Sequence, residues 1–148
     1  MEESSQSSLL PKYFLHGIAF SLISLVLTIL YAVILVILIL AGLLIGLIIG
    51  ILLFMVFIGG LNALLTYQVW KVEIKTNWTS LIAHGFVLLI VLFFAHIPGI
   101  AVNLVIPSLV TQIIVFVVYC FIDGYVARKV AGLWEEAYDE PLIFPEAS

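Results

Sequence analysis

Three of the ionisable side chains in the long apolar segments have types and spacing that suit chemistry. They are His16, His84 and Asp123, and each lies a few residues inside a polar or basic boundary of its segment. In helices rising about 1.5 Å per residue, all three would lie about 6–8 Å below the same membrane surface. An acid inside a membrane helix is costly and is usually paired or functional. The spacing therefore predicts a polar layer formed by these three residues.

Such a layer suits two kinds of chemistry, with a structural role as the alternative. Two imidazoles and a carboxylate can bind zinc or iron, and they can also relay protons. Alternatively, each imidazole hydrogen-bonds to a neighbouring carbonyl near the interface. The structural alternative is favoured, so the sequence predicts no bound metal and no cofactor. Tyr119, one turn from Asp123 on the same helix face, could donate its hydroxyl to the carboxylate, and Asn62 and Gln68 could join the edges of the layer.

A second group of small residues suits helix packing. Gly42, Gly46 and Gly50 recur every four residues and form one strip on a helix. Because lipid gives apolar helices no hydrophobic drive to associate, such strips are a main means of close packing. A facing strip in the preceding segment consists of Gly17, Ser21, Ser24 and Thr28. Contact within one molecule and contact between copies both stay open, as does the alternative that Gly42 is a turn and the other glycines face lipid.

The distribution of charge predicts the elements that hold these residues. All 5 basic and 9 acidic residues lie outside two gaps, 13–70 and 76–122. A hydrocarbon core needs about 20 helical residues per crossing, so each gap fits two crossings. We therefore expect a single all-α domain over 1–148, an integral membrane four-helix bundle. The predicted helices are 11–40, 43–70, 79–96 and 107–131, followed by a short soluble acidic tail over 132–148.

The third predicted helix ends at a proline and a glycine. Pro98 and Gly99 are residues that break helices. His96 then lies at the helix end, where its ring would satisfy a freed carbonyl.

The basic residues predict the orientation in the membrane. With four helices, the N-terminus, the middle connection and the C-terminus share one side, and every basic residue lies there: Lys12, Lys71, Lys75, Arg128 and Lys129. The positive-inside rule then gives an N-in and C-in topology. We expect an integral protein of the plasma membrane (the cell inner membrane) with both termini cytoplasmic.

Two short motifs recur in the same order. Phe-Leu-His-Gly ends at Gly17 and Ile-Ala-His-Gly at Gly85, while Phe-Ile-Gly-Gly ends at Gly60 and Phe-Ile-Asp-Gly at Gly124. They predict two helical hairpins of the same orientation, related by duplication as in some transporters. Chance recurrence in a chain rich in Phe, Ile, Leu and Gly is the alternative.

The composition narrows the function classes. With 65% apolar residues, five basic residues and a net charge of −4, the chain is not expected to bind nucleic acid. Without a nucleophile elbow, a phosphate-binding loop or a cysteine pair, an enzyme is not expected either. The leading hypothesis is a structural or accessory subunit that forms a homo-oligomer or packs in a larger membrane complex. The alternatives are a small oligomeric proton- or ion-coupled transporter or channel, and a membrane-shaping hairpin protein.

Overall fold

A computed structural model describes the backbone of residues 9–139 and the side chains of 9–135. It contains four helices, α1 (Leu10–Leu40), α2 (Leu44–Trp70), α3 (Trp78–Val105) and α4 (Leu109–Asp139). All four are long and apolar enough to cross a membrane. The prediction of an all-helical chain with four membrane-length helices is confirmed. Of the predicted soluble tail over 132–148, residues 132–139 continue α4 instead, and residues 140–148 lie outside the described residues.

Glycine forms the turn between α1 and α2. Gly42 has φ 67°, in the left-handed region that favours glycine because it lacks a Cβ. Its N–H donates to the carbonyl of Ile39, and the N–H of Leu43 donates to Leu38, which satisfies the last carbonyls of α1. Gly42 is therefore a turn residue, and the two helices form an antiparallel hairpin.

The segment 71–77 joins α2 to α3 and ends in a side-chain cap. Asn77 accepts a hydrogen bond from the Ser80 N–H at 2.7 Å, which satisfies one of the free donors at the start of α3. Lys71, directly after α2, has a left-handed backbone with φ 59°. The connection is therefore short and closely tied to both helices.

The prediction that α3 ends at His96 is wrong, because the helix continues through Pro98 to Val105. Proline removes one backbone donor and disturbs the preceding turn. The hydroxyl of Tyr119 on α4 accepts a hydrogen bond from Gly99 N–H and donates to the His96 carbonyl at 3.2 Å. A neighbouring helix thus satisfies the backbone groups around the proline, as membrane helices allow. Helix α4 begins at Leu109, two residues after the predicted start at Pro107.

The four helices form a bundle in which α1 packs chiefly on α4 and α2 chiefly on α3, with further contacts inside each hairpin. The ring of Trp70 at the end of α2 lies 5.7 Å from Lys12 Nζ and 5.5 Å from Arg128 Cζ. We call this the basic end, and the opposite end, with the turns at 41–43 and 106–108, the hairpin end. The apolar core lies in the half nearer the basic end: Phe20, Ile58, Leu65, Leu88, Leu92, Ala127 and Val130.

Glycines bring helix backbones into direct contact at two interfaces. A Cβ added to Gly17 or Gly124 would overlap the backbone of the facing helix at the α1–α4 interface. The same holds for Gly59 and Gly85 at the α2–α3 interface, whereas a Cβ on Gly60 would meet open space. Each interface therefore depends on the absence of side chains at these positions.

Candidate functional site

A hydrogen-bonded network inside the core joins His16 of α1, Asn62 of α2 and His84 of α3. All three residues are fully buried. The Asn62 amide oxygen lies 3.0 Å from His16 Nε2, and its nitrogen lies 2.9 Å from His84 Nε2. The same nitrogen donates to the Ala127 carbonyl of α4 at 3.0 Å. One side chain of α2 therefore binds to each of the other three helices.

The donors around this network determine the form of both imidazoles. Trp70 Nε1–H donates to His16 Nδ1 at 3.1 Å, so His16 accepts at Nδ1 and donates from Nε2 to the Asn62 oxygen. Asn62 uses its nitrogen for the Ala127 carbonyl, so His84 Nε2 accepts from that nitrogen and carries its own proton on Nδ1. The hydrogen bonds thus hold both rings neutral. This arrangement is suited to holding helices together.

An aromatic ring covers the network toward the basic end. The rings of His84 and Trp134 stack with centroids 4.6 Å apart and an interplanar angle of 21°. Trp134 belongs to the stretch that continues α4 beyond Ala131, where the sequence predicted the helix to end. The continued helix therefore helps to exclude water from the buried amide and imidazoles.

Asp123 lies in a different group, with Ser21 of α1 and His96 of α3. Its carboxylate accepts a hydrogen bond from Ser21 Oγ at 2.8 Å, and its other oxygen lies 2.7 Å from His96 Nε2. The Asp123 side chain is 6% exposed and that of His96 is 37% exposed. The structure therefore brings His16 and His84 together through Asn62, and places Asp123 with a third histidine.

Tyr119 does not donate its hydroxyl to Asp123. The groups left free around Pro98 bind the hydroxyl instead, and the phenol ring packs edge-on against the His96 ring, with centroids 4.4 Å apart. Tyr119 therefore supports the segment of α3 that carries His96, and its contact with the acid is indirect.

Two clefts that open at the surface of the bundle meet at the Asp123–His96 pair, and we call them cavity A and cavity B. Cavity A, about 540 Å³, lies among α1, α2 and α3 with Asp123 at one edge, and cavity B, about 370 Å³, lies chiefly between α3 and α4. The residues that line both cavities are Ser21, His96 and Asp123. Both cavities have mainly apolar walls, to which cavity A adds the hydroxyls of Ser24 and Thr28 and cavity B the amides of Asn103 and Gln112. The hydrogen-bonded Asp123–His96 pair thus lies where the two spaces meet.

The residues predicted for helix packing are used within one chain. A Cβ on Gly46 would lie 3.1 Å from Leu38, and one on Gly50 would lie 3.6 Å from Tyr31, so both glycines face α1 of the same molecule. The residues of the facing strip on α1 have other contacts. Gly17 contacts α4, Ser21 donates a hydrogen bond to Asp123, and Ser24 and Thr28 line cavity A.

Asn62 and His96 are the residues whose roles the sequence did not predict. Asn62 was expected at the edge of the polar layer and lies at its centre. An amide in the middle of an apolar helix was the available signal. His96 was assigned to a helix end because Pro98 follows it, and the compensating tyrosine on another helix leaves no local mark in the sequence.

Among residues 9–135, whose side chains the structure describes, no group of three or more His, Cys, Asp or Glu is arranged to hold a metal ion. Comparison of the chain with models of known families, with curated proteins and with solved structures finds no match. Fold and site together define a class, a small four-helix bundle whose helices are long and apolar enough to span a membrane.

Tyr119→Phe is expected to weaken the bundle without removing any packed ring. The change leaves Gly99 N–H without its partner, and an unsatisfied buried donor costs about 1–3 kcal/mol. We expect a lower thermal midpoint in detergent, measured by the unfolding of the purified protein. Tyr67→Phe is the matched control, since Tyr67 is exposed on α2. Equal midpoints for the two variants would show that the tyrosine does not support the helix around Pro98.

Proposed function

We propose that this chain is an integral membrane protein that binds and passes protons at the Asp123–His96 pair, as a small proton-coupled transporter. The observation that carries the proposal is an ionisable pair within membrane-length helices that lines two cavities. Ionisable residues at such depth are expensive and commonly mark proton pathways. The buried His16–Asn62–His84 network has no such access and is assigned a structural role.

The local charge balance supports a proton as the exchangeable ion. Lys12 and Arg128 both lie against Trp70 at the basic end, and Arg128 pairs with Glu135 at 3.0 Å. Among the described residues, the group that faces Asp123 and can carry a positive charge is His96. The counter-charge of the carboxylate is therefore a proton on an imidazole, which can leave.

The packing supports access from one end in this conformation. Phe20, Ile58 and Leu88 are buried side chains of the core, which lies in the half of the bundle nearer the basic end. Cavity B extends instead along α3 and α4 toward Asn103 and Gln112. The proposed topology keeps the N-in and C-in orientation, with the basic end in the cytoplasm. Protons would then reach the pair from the opposite compartment.

One glycine of each helix interface supports the proposed duplication of the two hairpins, whereas the other does not, because Gly124 corresponds to Gly60 and not to Gly59 in the recurring motif. The α1–α4 contact uses Gly17 and Gly124, and the α2–α3 contact uses Gly85 and Gly59. Gly17 and Gly85 occupy the same position in the recurring His-Gly motif. A pseudo-twofold axis along the membrane normal would exchange the two interfaces and the two buried histidines.

Asp123→Asn is expected to reduce proton flux to the level of protein-free vesicles. The amide keeps the size of the side chain but cannot carry the negative charge that stabilises a proton on His96. The measurement is the decay of an imposed pH gradient across proteoliposomes, followed with an enclosed pH-sensitive dye. Glu73→Gln, which makes the same change on the exposed α2–α3 connection, is the control and should leave the flux intact. Unchanged flux in Asp123→Asn would overturn the proposal.

A structural or accessory subunit is the second candidate. The observation that favours it is the far half of α1, where large apolar side chains are exposed around the helix, from Leu22 at 51% to Leu40 at 82%. A partner helix can replace lipid on such a surface. Extraction in native lipid followed by mass determination tests this candidate. A stoichiometric larger complex would support it, and a lone chain would count against it.

A further inference from the structure

We propose that cavity A binds a lipophilic organic cation, with Asp123 as its counter-ion. The ligand class is a bulky quaternary ammonium, phosphonium or protonated amine with apolar substituents. This inference rests on the proposed function of the Asp123–His96 site and deepens it by naming the substrate class.

The size and walls of cavity A suit a bulky apolar ligand. Its volume of about 540 Å³ lies within the range of small-molecule sites in proteins, about 300–1,000 Å³. Leu25, Phe54, Leu89 and Phe93 line it from three different helices, and Leu25 and Phe93 lie at its open side, each more than half exposed. Aromatic rings attract cations through the negative charge of their faces, and the attraction grows when water is excluded. The walls therefore favour a ligand that is apolar and positively charged at the same time.

The polar end of the cavity selects the sign of the charge. The Asp123 carboxylate lies at this end, and the hydroxyl-bearing residues Ser21, Ser24 and Thr28 of α1 line the same side. Hydroxyl and carboxylate oxygens can approach a cation, and no described Lys or Arg lines the cavity. A small bare cation would leave most of this apolar space unfilled and would lose its hydration shell. A large cation with dispersed charge loses less on leaving water and fills the space.

Binding of the cation would be balanced by release of one proton. With the ligand absent, the carboxylate is paired with His96 at 2.7 Å. When the ligand takes over that pairing, His96 gives its proton to water through cavity B, which it also lines. The net charge of the site stays constant, so the exchange is one cation for one proton.

The groups around Asp123 identify His96 as the residue that releases the proton. Helix α1 contributes the Ser21 hydroxyl, and α2 contributes Phe54 and Ile58 to the cavity, none of which titrates near neutral pH. Helix α3 contributes His96. On α4 itself, Cys120 is a buried thiol and the Tyr119 hydroxyl is bound to the α3 backbone. The released proton is therefore assigned to His96.

The test is binding of tetraphenylphosphonium to the purified full chain in detergent, measured by calorimetry beside tetraphenylborate, which has the same shape and the opposite charge. We expect the phosphonium to bind and the borate not to bind. Asp123→Asn should weaken phosphonium binding by at least about tenfold, since it removes a desolvated charge partner. In weak buffer, about one proton should be released per phosphonium bound.

A second variant keeps the test valid if Asp123→Asn fails to fold. Ser24→Phe fills cavity A and leaves the Asp123–His96 pair and cavity B in place. It should abolish phosphonium binding while the protein stays monodisperse and keeps the thermal midpoint of the native chain. Ala32→Phe, at an exposed position of the same helix, is the control and should change neither.

The outcomes separate the two proposals. Equal binding of the two ions, or phosphonium binding that survives both Asp123→Asn and Ser24→Phe, overturns the cation site. Proton flux that depends on Asp123 without any phosphonium binding also overturns the cation site and leaves the proposed function standing. Phosphonium binding that depends on Asp123, in a protein without proton flux, supports the cation site and overturns the proposed proton pathway.

Discussion

Gly59→Ala is expected to destabilise the bundle severely, whereas Gly60→Ala at the next position is expected to leave it intact or slightly more stable. A Cβ on Gly59 would overlap the Leu81 carbonyl and lie 3.1 Å from the backbone nitrogen of Gly85. These are backbone atoms of α3, which cannot rotate away as a side chain can. Overpacking costs about 1–3 kcal/mol where side chains adjust, so we expect more than about 3 kcal/mol here.

The neighbouring glycine makes this prediction a matched pair. A Cβ on Gly60 meets no atom within 4 Å, and alanine has the higher helix propensity by about 1 kcal/mol. Both variants add one methyl group to the same helix one residue apart. The measurements are the yield of monodisperse protein and the thermal midpoint in detergent. Equal midpoints would contradict the close approach of α2 and α3.

Asn62→Leu is expected to be the most damaging single change of a polar side chain. Leucine has the same branched shape and number of side-chain heavy atoms and suits an apolar helix, so helix propensity alone would predict little effect. The change nevertheless removes the partner of His16, of His84 and of the Ala127 carbonyl, all in a fully buried place. Each unsatisfied buried group costs about 1–3 kcal/mol, although hydrogen bonds between membrane helices average less, about 0.6. We expect a loss of about 3 kcal/mol in total.

The expected readout for Asn62→Leu is a fall of roughly 10 °C in the thermal midpoint. Gln68→Leu, the same kind of change at an exposed position of α2, is the control and should melt like the native chain. A second measurement follows the indole fluorescence of Trp70 and Trp134, whose rings contact His16 and His84 respectively. An unchanged midpoint together with unchanged fluorescence would rule out the amide as the connection among the four helices.

Individual residues show how far the sequence alone predicts the site. His16, His84 and Asp123 were recognisable because polar residues are rare in these segments. Their depth could be estimated from the helical rise. Their hydrogen-bond partners could not be predicted. A hydrogen bond between two helices depends on how each helix is rotated about its axis and where the two helices cross. The sequence pattern says little about either when every face of a helix is apolar. Asn62 and His96 therefore became central only when the helices were packed.

The glycines illustrate the same limit. Spacing identified Gly42, Gly46 and Gly50 as a strip, and the structure uses them in the turn and against α1 of the same chain. The closest backbone contacts instead occur at Gly17, Gly59, Gly85 and Gly124, which form no regular strip along one helix. A close contact needs small residues at one crossing point on two helices, so spacing within one segment does not reveal it.

The sequence by itself determined the number of helices and most of their ends. The length of each charge-free segment sets how many helices it can form, because charges and unpaired backbone groups are costly in lipid. Turn residues set the helix ends because they act on the backbone locally. The sequence also determined which residues were polar within the apolar segments. Only the tertiary structure decided that α3 continues through Pro98, that Asn62 joins the two buried histidines, and that Asp123 pairs with His96 between two cavities. These features depend on contacts between residues far apart in the chain, and their geometry exists only after the helices have packed.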